Sequence, residues 1–261
     1  IIVVLFLIFT LTGCFKNPFL KDYSELKVCS EPGFIPFEMR TAKGVWDGYE
    51  IVLAQNFAKE TGRNIQFVDI RFEGLLPALI ASRGCDVVAS AVGINEERKK
   101  MVLFSDEIYQ SAYAGLVRAD DSSRLKDFAS INQKTTRIAV QQGTEASLYV
   151  KNNFKNATIL VYDDNSAPIL AVMTEKADIF IDDSVYCNIM VKRKAGKLHF
   201  ISPEVLPSNE YDGMGFAFRK KDQKLRDEFN DYLRKIKKNG AWEKLKSDYF
   251  DKMIWEKNFQ E

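Results

Sequence analysis

Short apolar segments alternate with amphipathic ones along most of this chain, and the alternation runs through twice. In the first pass LKVCS, NIQFVDI and CDVVAS read as strands, with YEIVLAQNFAKETG and EGLLPALIASRG as helices between them. The first helix would bury Ile51, Ala54 and Ala58, with Leu53 and Phe57 beside them, and stop at Gly62. In the second, Pro77 is tolerable only near the first turn. A long run, YQSAYAGLVR, leads away, and the polar SSRLKDFASINQK connects. The second pass gives strands RIAVQQ, TILVYDD, ADIFI and LHFIS, separated by helices TEASLYVKNNF, NSAPILAVMTEK (capped) and DSVYCNIMVKRKAG. PEVLPSNEYDGMG then brings the chain back to a last strand, GFAFRK, and two amphipathic helices, KLRDEFNDYLRKIKKNG and AWEKLKSDYF. Two successive runs of βα units with short apolar strands imply two open α/β lobes.

With 261 residues, 46% of them hydrophobic, the chain can bury a real core in each lobe. Its 37 basic and 36 acidic residues leave a formal net charge of +1, which gives no electrostatic reason for nucleic acid as a partner. No internal repeat and no low-complexity segment is visible.

The N-terminus reads IIVVLFLIFTLTGC. Its apolar run of about eleven residues is short of the roughly 20 that cross a bilayer, and fits the apolar region of a secretory signal. The initial Met and basic region are missing, so the chain is expected to begin inside that signal. Leu11-Thr12-Gly13-Cys14 resembles the lipobox of bacterial lipoproteins, in which the cysteine is lipidated and becomes the mature N-terminus. On this reading 1–13 are the signal, and Cys14 with residues up to 24 is a lipidated tether. Three cysteines remain, Cys29, Cys85 and Cys187, an odd number that cannot be fully paired within one chain. Cys29 and Cys85 lie in apolar strand-like contexts, where cysteine often serves as a small buried hydrophobe. With no CxxC spacing and one histidine, His199, in an alternating run, neither a zinc site nor another metal or cofactor is expected.

In open α/β sheets ligands bind beyond the carboxyl ends of the strands. Those positions hold Glu31 and Phe34, then Arg71 and Phe72, then Ser90, Gly93 and Arg98, then Gly143 and Thr144, and finally Asp182 and Asp183. A guanidinium such as that of Arg98 can grip a carboxylate by two parallel hydrogen bonds, and Gly93 would let a ligand approach backbone N–H groups closely. Asp182 and Asp183 could ligate a metal, cap the next helix or meet an ammonium group; further metal ligands at suitable spacing are lacking. An aspartate facing Arg98 across a cleft suits a zwitterion, with Phe34 and Phe72 as walls around its side chain. There is no GxSxG, no serine with a suggestively placed histidine and no Gly-rich phosphate loop, so no catalytic residue is assigned.

From about Leu26 to Phe250 the chain resembles the periplasmic amino-acid-binding proteins of ABC importers, the polar amino acid solute-binding family. The resemblance is carried by FIPFEM (34–39), GYEIVLAQNFAKETG (48–62), FEGLLPALIASRGCDVVASAVGINEERKKMVLFSDEIY (72–109), AVQQGT (139–144), ADIFIDD (177–183), GMGFAFRK (213–220) and NGAWEKLKSDYF (239–250), in order. It implies a type II periplasmic binding protein fold. Lobe 1 would be 25–111 with 213–261 and lobe 2 112–212, joined by hinge crossings near 110–112 and 212–215. Carried over by position, Arg98 would grip an α-carboxylate with help from Ser90, Gly93 and Thr144, and Asp183 would hold the α-ammonium. Phe34 and Phe72 would flank the side chain, while Glu31 and Asp182 would meet the distal part of the ligand. Glu31 and Asp182 suggest a polar or cationic amino acid such as arginine, lysine, glutamine or cystine.

Three positions depart from the family pattern. Gly93 stands where a hydroxyl residue is common, Ala91 where serine or another small residue occurs, and Glu145 where a second hydroxyl residue or glycine is frequent. One side-chain donor to the carboxylate is therefore missing, and only the backbone N–H of Glu145 is expected to serve. The resemblance implies a monomeric, lipid-anchored extracytoplasmic receptor delivering a free amino acid to ABC permease subunits. Two alternatives from other classes are a prephenate or arogenate dehydratase, since similar folds host that activity, and the sensor domain of a receptor kinase or channel. The lipobox favours the receptor.

Overall fold

The computed structural model describes residues 24–81, 84–207 and 213–258. The segment assigned to signal and tether, Cys14 included, lies outside these residues up to Tyr23. Two five-stranded mixed sheets organise the chain, each wrapped by helices.

The first lobe opens with β1 (Glu25–Ser30), a short hairpin of β2 (Met39–Arg40) and β3 (Trp46–Asp47), and α1 (Tyr49–Glu60). β4 (Asn64–Asp69), α2 (Phe72–Ile80), β5 (Val87–Val88), α3 (Glu96–Met101) and β6 (Val102–Phe104) follow. The chain crosses to the second lobe and runs through β7 (Tyr113–Arg118), α4 (Phe128–Ile131), β8 (Arg137–Gln141), α5 (Glu145–Asn153) and β9 (Thr158–Tyr162). α6 (Ala167–Met173), β10 (Ile179–Asp183), α7 (Ser184–Arg193) and β11 (Leu198–Ile201) complete that lobe. β12 (Ala217–Arg219), α8 (Gln223–Lys238) and α9 (Ala241–Lys246) belong again to the first.

The first sheet has the order β4-β1-β5-β12-β6, with β12 antiparallel to both neighbours. The second has the order β11-β7-β10-β8-β9, with β7 antiparallel to both of its neighbours. In each sheet one strand thus enters from the opposite direction, because the chain crosses between lobes there. The two crossings run side by side at Met214, whose N–H donates to the Tyr109 carbonyl at 2.8 Å and whose carbonyl accepts from Ile108 N–H at 2.9 Å.

Helix α1 buries Ile51, Leu53, Ala54, Phe57 and Ala58, the face its periodicity predicts, and the chain leaves it through Gly62 at a φ of 66°. Pro77 falls in the second turn of α2 rather than near the first. Its carbonyl still accepts from Ala81 N–H, so the helix loses only the bond that the proline nitrogen cannot donate. The connective SSRLKDFASINQK contains α4, one turn held by a capping box between Asp127 and Ser130. A single turn is too short to show a helical period. The capping of α6 comes not from Ser166 but from Asp164, whose Oδ1 accepts from Ser166 and Ala167 N–H.

Cys29 and Cys85, small buried hydrophobes by sequence, are bonded to each other in a disulfide, with their Cα atoms 5.7 Å apart. They meet because β1 and β5 are adjacent parallel strands, a neighbour relation that no spacing along the chain reveals. Cys187 is buried and unpaired.

Candidate functional site

The carboxyl ends of the parallel strands of both sheets face each other across a cavity. It is lined by Glu31, Phe34, Phe72, Ser90, Gly93, Thr144, Asp182 and Asp183, eight of the nine ligand-contact residues carried over by position. The ninth, Arg98, stands immediately behind, its guanidinium 5.7 Å from the Phe72 ring. Glu38, Tyr113, Gln141 and Asn165 also line the cavity and went unassigned in the sequence, as does Glu145, from which only a backbone N–H was expected. Gln141 could have been found, since it ends β8 and the strand-end rule points at it. Glu38 sits in a loop with no such marker.

Three strand-to-helix turns build the site, and in two of them the helix cap, Asp183 or Thr144, also lines the cavity. Asp183 ends β10 and caps α7, its Oδ1 accepting from Val185 N–H at 2.8 Å and Tyr186 N–H at 3.3 Å. Thr144 caps α5 through a bond from Ser147 N–H at 3.1 Å. Asn95 caps α3 through a bond from Arg98 N–H at 2.7 Å. Each turn needs an oxygen-bearing residue where the helix begins, and the fold puts those beginnings at the cavity.

The lobes touch through the site. Gln141 Nε2 donates to Glu31 Oε2 at 2.6 Å, and the Phe34 and Tyr186 rings stack with centroids 4.5 Å apart. Arg71 and Asp164 form an ion pair at 3.3 Å at the rim. Arg98 reaches both lobes: Nη1 donates to the Gly93 carbonyl at 2.8 Å and Nη2 to the Gly143 carbonyl at 2.9 Å. The Glu145 carboxylate lies 3.0 Å from Nη1 and also accepts from Asn95 Nδ2. The Glu145 side chain thus reaches across the cleft from the first turn of α5.

Carboxyl groups dominate the electrostatics. Burial pushes Asp182 up to about 7, with the adjacent Asp183 charge adding to the shift. Burial likewise pushes Asp183 up to about 6, against the bonds it accepts. Glu31 is raised by burial, although the bond from Gln141 and the Arg71 charge oppose this. Glu38 accepts from Ser90 Oγ at 3.1 Å, and Glu50 from Ala91 N–H at 3.1 Å. Both of these acids are fully enclosed, so burial raises Glu38 well above the usual range and Glu50 to about 8. Asp182 Oδ1 accepts from Asp183 N–H at 2.8 Å, whereas its Oδ2 is buried with no hydrogen-bond partner. Such an oxygen is costly unless a donor arrives. Among the described residues no group of three or more acidic, histidine or cysteine side chains is placed to hold a metal ion. A lined cavity with an unpartnered acceptor can therefore bind a small polar cation.

Residues 26–252 match the profile of the bacterial extracellular solute-binding proteins, family 3. The chain is 31% identical to the arginine-binding periplasmic protein of Mannheimia haemolytica, over 90% of this chain and 93% of that protein. It is 28% identical to the histidine-binding periplasmic protein of Salmonella typhimurium, over 87% and 88%. An ancestral amino acid-binding protein, described as a precursor of cyclohexadienyl dehydratase, superposes with a TM-score of 0.80 at 30% identity, covering 87% of this chain and 96% of that one. All three are named as binding proteins, the third of them as the precursor of a dehydratase.

Proposed function

Since the chain belongs to the bacterial extracellular solute-binding proteins of family 3, we propose that it is an extracytoplasmic receptor that closes on a cationic or polar amino acid and hands it to an ABC permease. One observation carries the choice of ligand: five carboxyl groups, Glu31, Glu38, Glu145, Asp182 and Asp183, line the cavity together with the walls Phe34 and Phe72, and among the described residues no lysine or arginine does. The names of the arginine- and histidine-binding relatives agree with a cationic or polar ligand and with a periplasmic location.

In this reading Asp183 holds the ligand ammonium, Glu31 and Asp182 meet the distal cation, and Arg98 with Ser90, Gly93 and Thr144 forms the carboxylate end. The crossings near 110–112 and 212–215 act as hinges between lobe 1 (25–111, 213–261) and lobe 2 (112–212). A lipid on Cys14 tethers the receptor to the membrane, and it works as a monomer.

A thermal-shift screen across the amino acids tests the reading. A ligand at a hundred times its Kd stabilises by about 2.7 kcal/mol, which in a protein of this size raises Tm by roughly 5–10 °C. Arginine, lysine, histidine or glutamine should give such a shift, and aspartate and glutamate none. A flat response to every amino acid would refute it.

A further inference from the structure

Glu38 and Glu50 are 1% and 0% exposed, and among the described residues no basic side chain bears on either. They adjoin because the loop after β1 runs against the start of α1, where Glu50 N–H donates to the Phe37 carbonyl at 2.9 Å. A Cβ at Gly48 would come within 2.8 Å of Glu38 Cα, so only glycine allows this approach. One oxygen of each acid docks on consecutive residues of the turn after β5. Glu38 Oε1 accepts from Ser90 Oγ at 3.1 Å, and Glu50 Oε1 accepts from Ala91 N–H at 3.1 Å. The other oxygens, Glu38 Oε2 and Glu50 Oε2, are both buried with no hydrogen-bond partner.

Two carboxylates enclosed together would repel and leave both of those oxygens unmet. One proton held between them satisfies both at once. A second finds no acceptor, because the remaining oxygen of each acid already takes a donor. The turn these acids hold is strained: Ala91 has a φ of 47°, in the left-handed region that favours glycine. Such backbone persists only where its surroundings over-determine it, and here the two acids bond both residues of the turn. The turn leads to Gly93, whose carbonyl accepts from Arg98 Nη1 at 2.8 Å.

We propose that Glu38 and Glu50 share one proton, and that this pair positions the Ser90–Ala91 turn at the carboxylate end of the site. Its effect on binding rests on the receptor reading and adds to it a positioning residue, Glu50, that does not line the cavity. The pair carries one negative charge rather than two. Burial and the Glu50 charge raise Glu38, with a smaller push from Glu31, and burial raises Glu50 to about 8. Tyr49, beside Glu50, is raised by burial and donates to the Ile108 carbonyl at 2.8 Å, so it stays neutral. The unfolded chain sheds its carboxyl protons near the ordinary value, whereas the fold keeps this one. Stability therefore falls as pH rises from about 4.5 through about 8 and levels beyond.

The test compares the parent protein with Glu50→Gln and Glu50→Met, by calorimetry with L-arginine and by melting temperature against pH. A carboxamide keeps the acceptor for Ala91 N–H, supplies a donor to Glu38 Oε2 and leaves the charge of the pair unchanged. Glu50→Gln should therefore bind arginine at pH 7.5 within about threefold of the parent. Glu50→Met leaves the Ala91 N–H and Glu38 Oε2 unmet and should lose about tenfold or more. Between pH 7.5 and 8.5, above the range where Asp182 titrates, the parent should still lose melting temperature and Glu50→Gln should stay flat. Should Glu50→Met fold poorly, Glu50→Gln decides alone. An affinity in Glu50→Gln that drops as far as in Glu50→Met overturns the inference, because two charges and not one would have stood in the parent. An equal fall of melting temperature in parent and Glu50→Gln overturns it too, and so does a Glu50→Met that binds like the parent. If arginine binds none of the three proteins, the receptor reading is what fails, and the melting profiles still decide the shared proton.

Discussion

Affinity for a cation should rise steeply with pH, and Asp182 should be the main reason. Its carboxyl, buried beside Asp183, is pushed up to about 7, and Asp183 to about 6. A cationic ligand needs both groups ionised, so binding must first draw off any proton they hold. Treating the two as independent, affinity should fall about twentyfold from pH 8 to pH 6, and about fiftyfold more from pH 6 to pH 5. The groups around them do not blur this window. Tyr113, Tyr186 and Cys187 near Asp182, and Tyr109 near Asp183, are all shifted upward by burial and stay neutral across it. Glu31, also raised by burial, adds to the fall at the acid end.

The linkage to stability has the opposite sign. With folded values raised above the ordinary carboxylate range, the empty protein gains stability at low pH and loses it as pH rises from about 4 through 7, where only the folded state still holds the protons. Calorimetry with agmatine or arginine in two buffers of different ionisation enthalpy should detect proton release near pH 6.5. In Asp182→Asn the step between pH 6 and 8 should vanish and leave the lower one. Affinity constant to within about twofold from pH 5.5 to 8 would refute the assignment of these acids to the ligand.

Removing the Cys29–Cys85 bridge, which closes a loop across a sequence separation of 56 residues, should cost about 4 kcal/mol by chain entropy. A Cys29→Ala/Cys85→Ala double variant should therefore melt roughly 8–16 °C lower by calorimetry. Gly48, at a φ of 130°, leaves no room for a side chain because a Cβ would come within 2.3 Å of the Phe37 carbonyl oxygen. Gly48→Ala should lower the urea midpoint markedly, and an unchanged midpoint would show that the α1 entrance can relax. If the crossings are hinges, small-angle scattering should show compaction on adding saturating ligand. Cys14→Ser should move the protein from the membrane fraction to the soluble periplasmic one, and continued membrane association would mean the N-terminal segment is itself the anchor.

Much of this molecule was legible because its information is local. The period of α1, the stop at Gly62 and the two passes of strand and helix follow from side-chain patterning within single segments. The strand-end rule then converts that pattern into a place, which is why Ser90, Thr144 and Asp183 arrive at one cavity from two sheets. What stayed hidden is relational. Cys29 meets Cys85 through a strand neighbour, and Glu38 enters the site through a loop that carries no periodic signal.

Glu145 is the sharpest case of this. In the sequence it is a departure from a hydroxyl, one residue past a helix cap, with only its N–H to offer. Which donors a carboxylate cradle has free depends on what else they bond, and that depends on both lobes at once. Ser90 is bound to Glu38, Thr144 to the Gln141 carbonyl, and Arg98 to two carbonyls and an acid. Each of these residue types fits a carboxylate receptor taken singly, yet their side chains are bonded within the chain while one acceptor, Asp182 Oδ2, is unmet. Residue identity at a strand end therefore fixes where a ligand sits, whereas the allocation of hydrogen bonds among the lining residues decides which of its groups is welcome there.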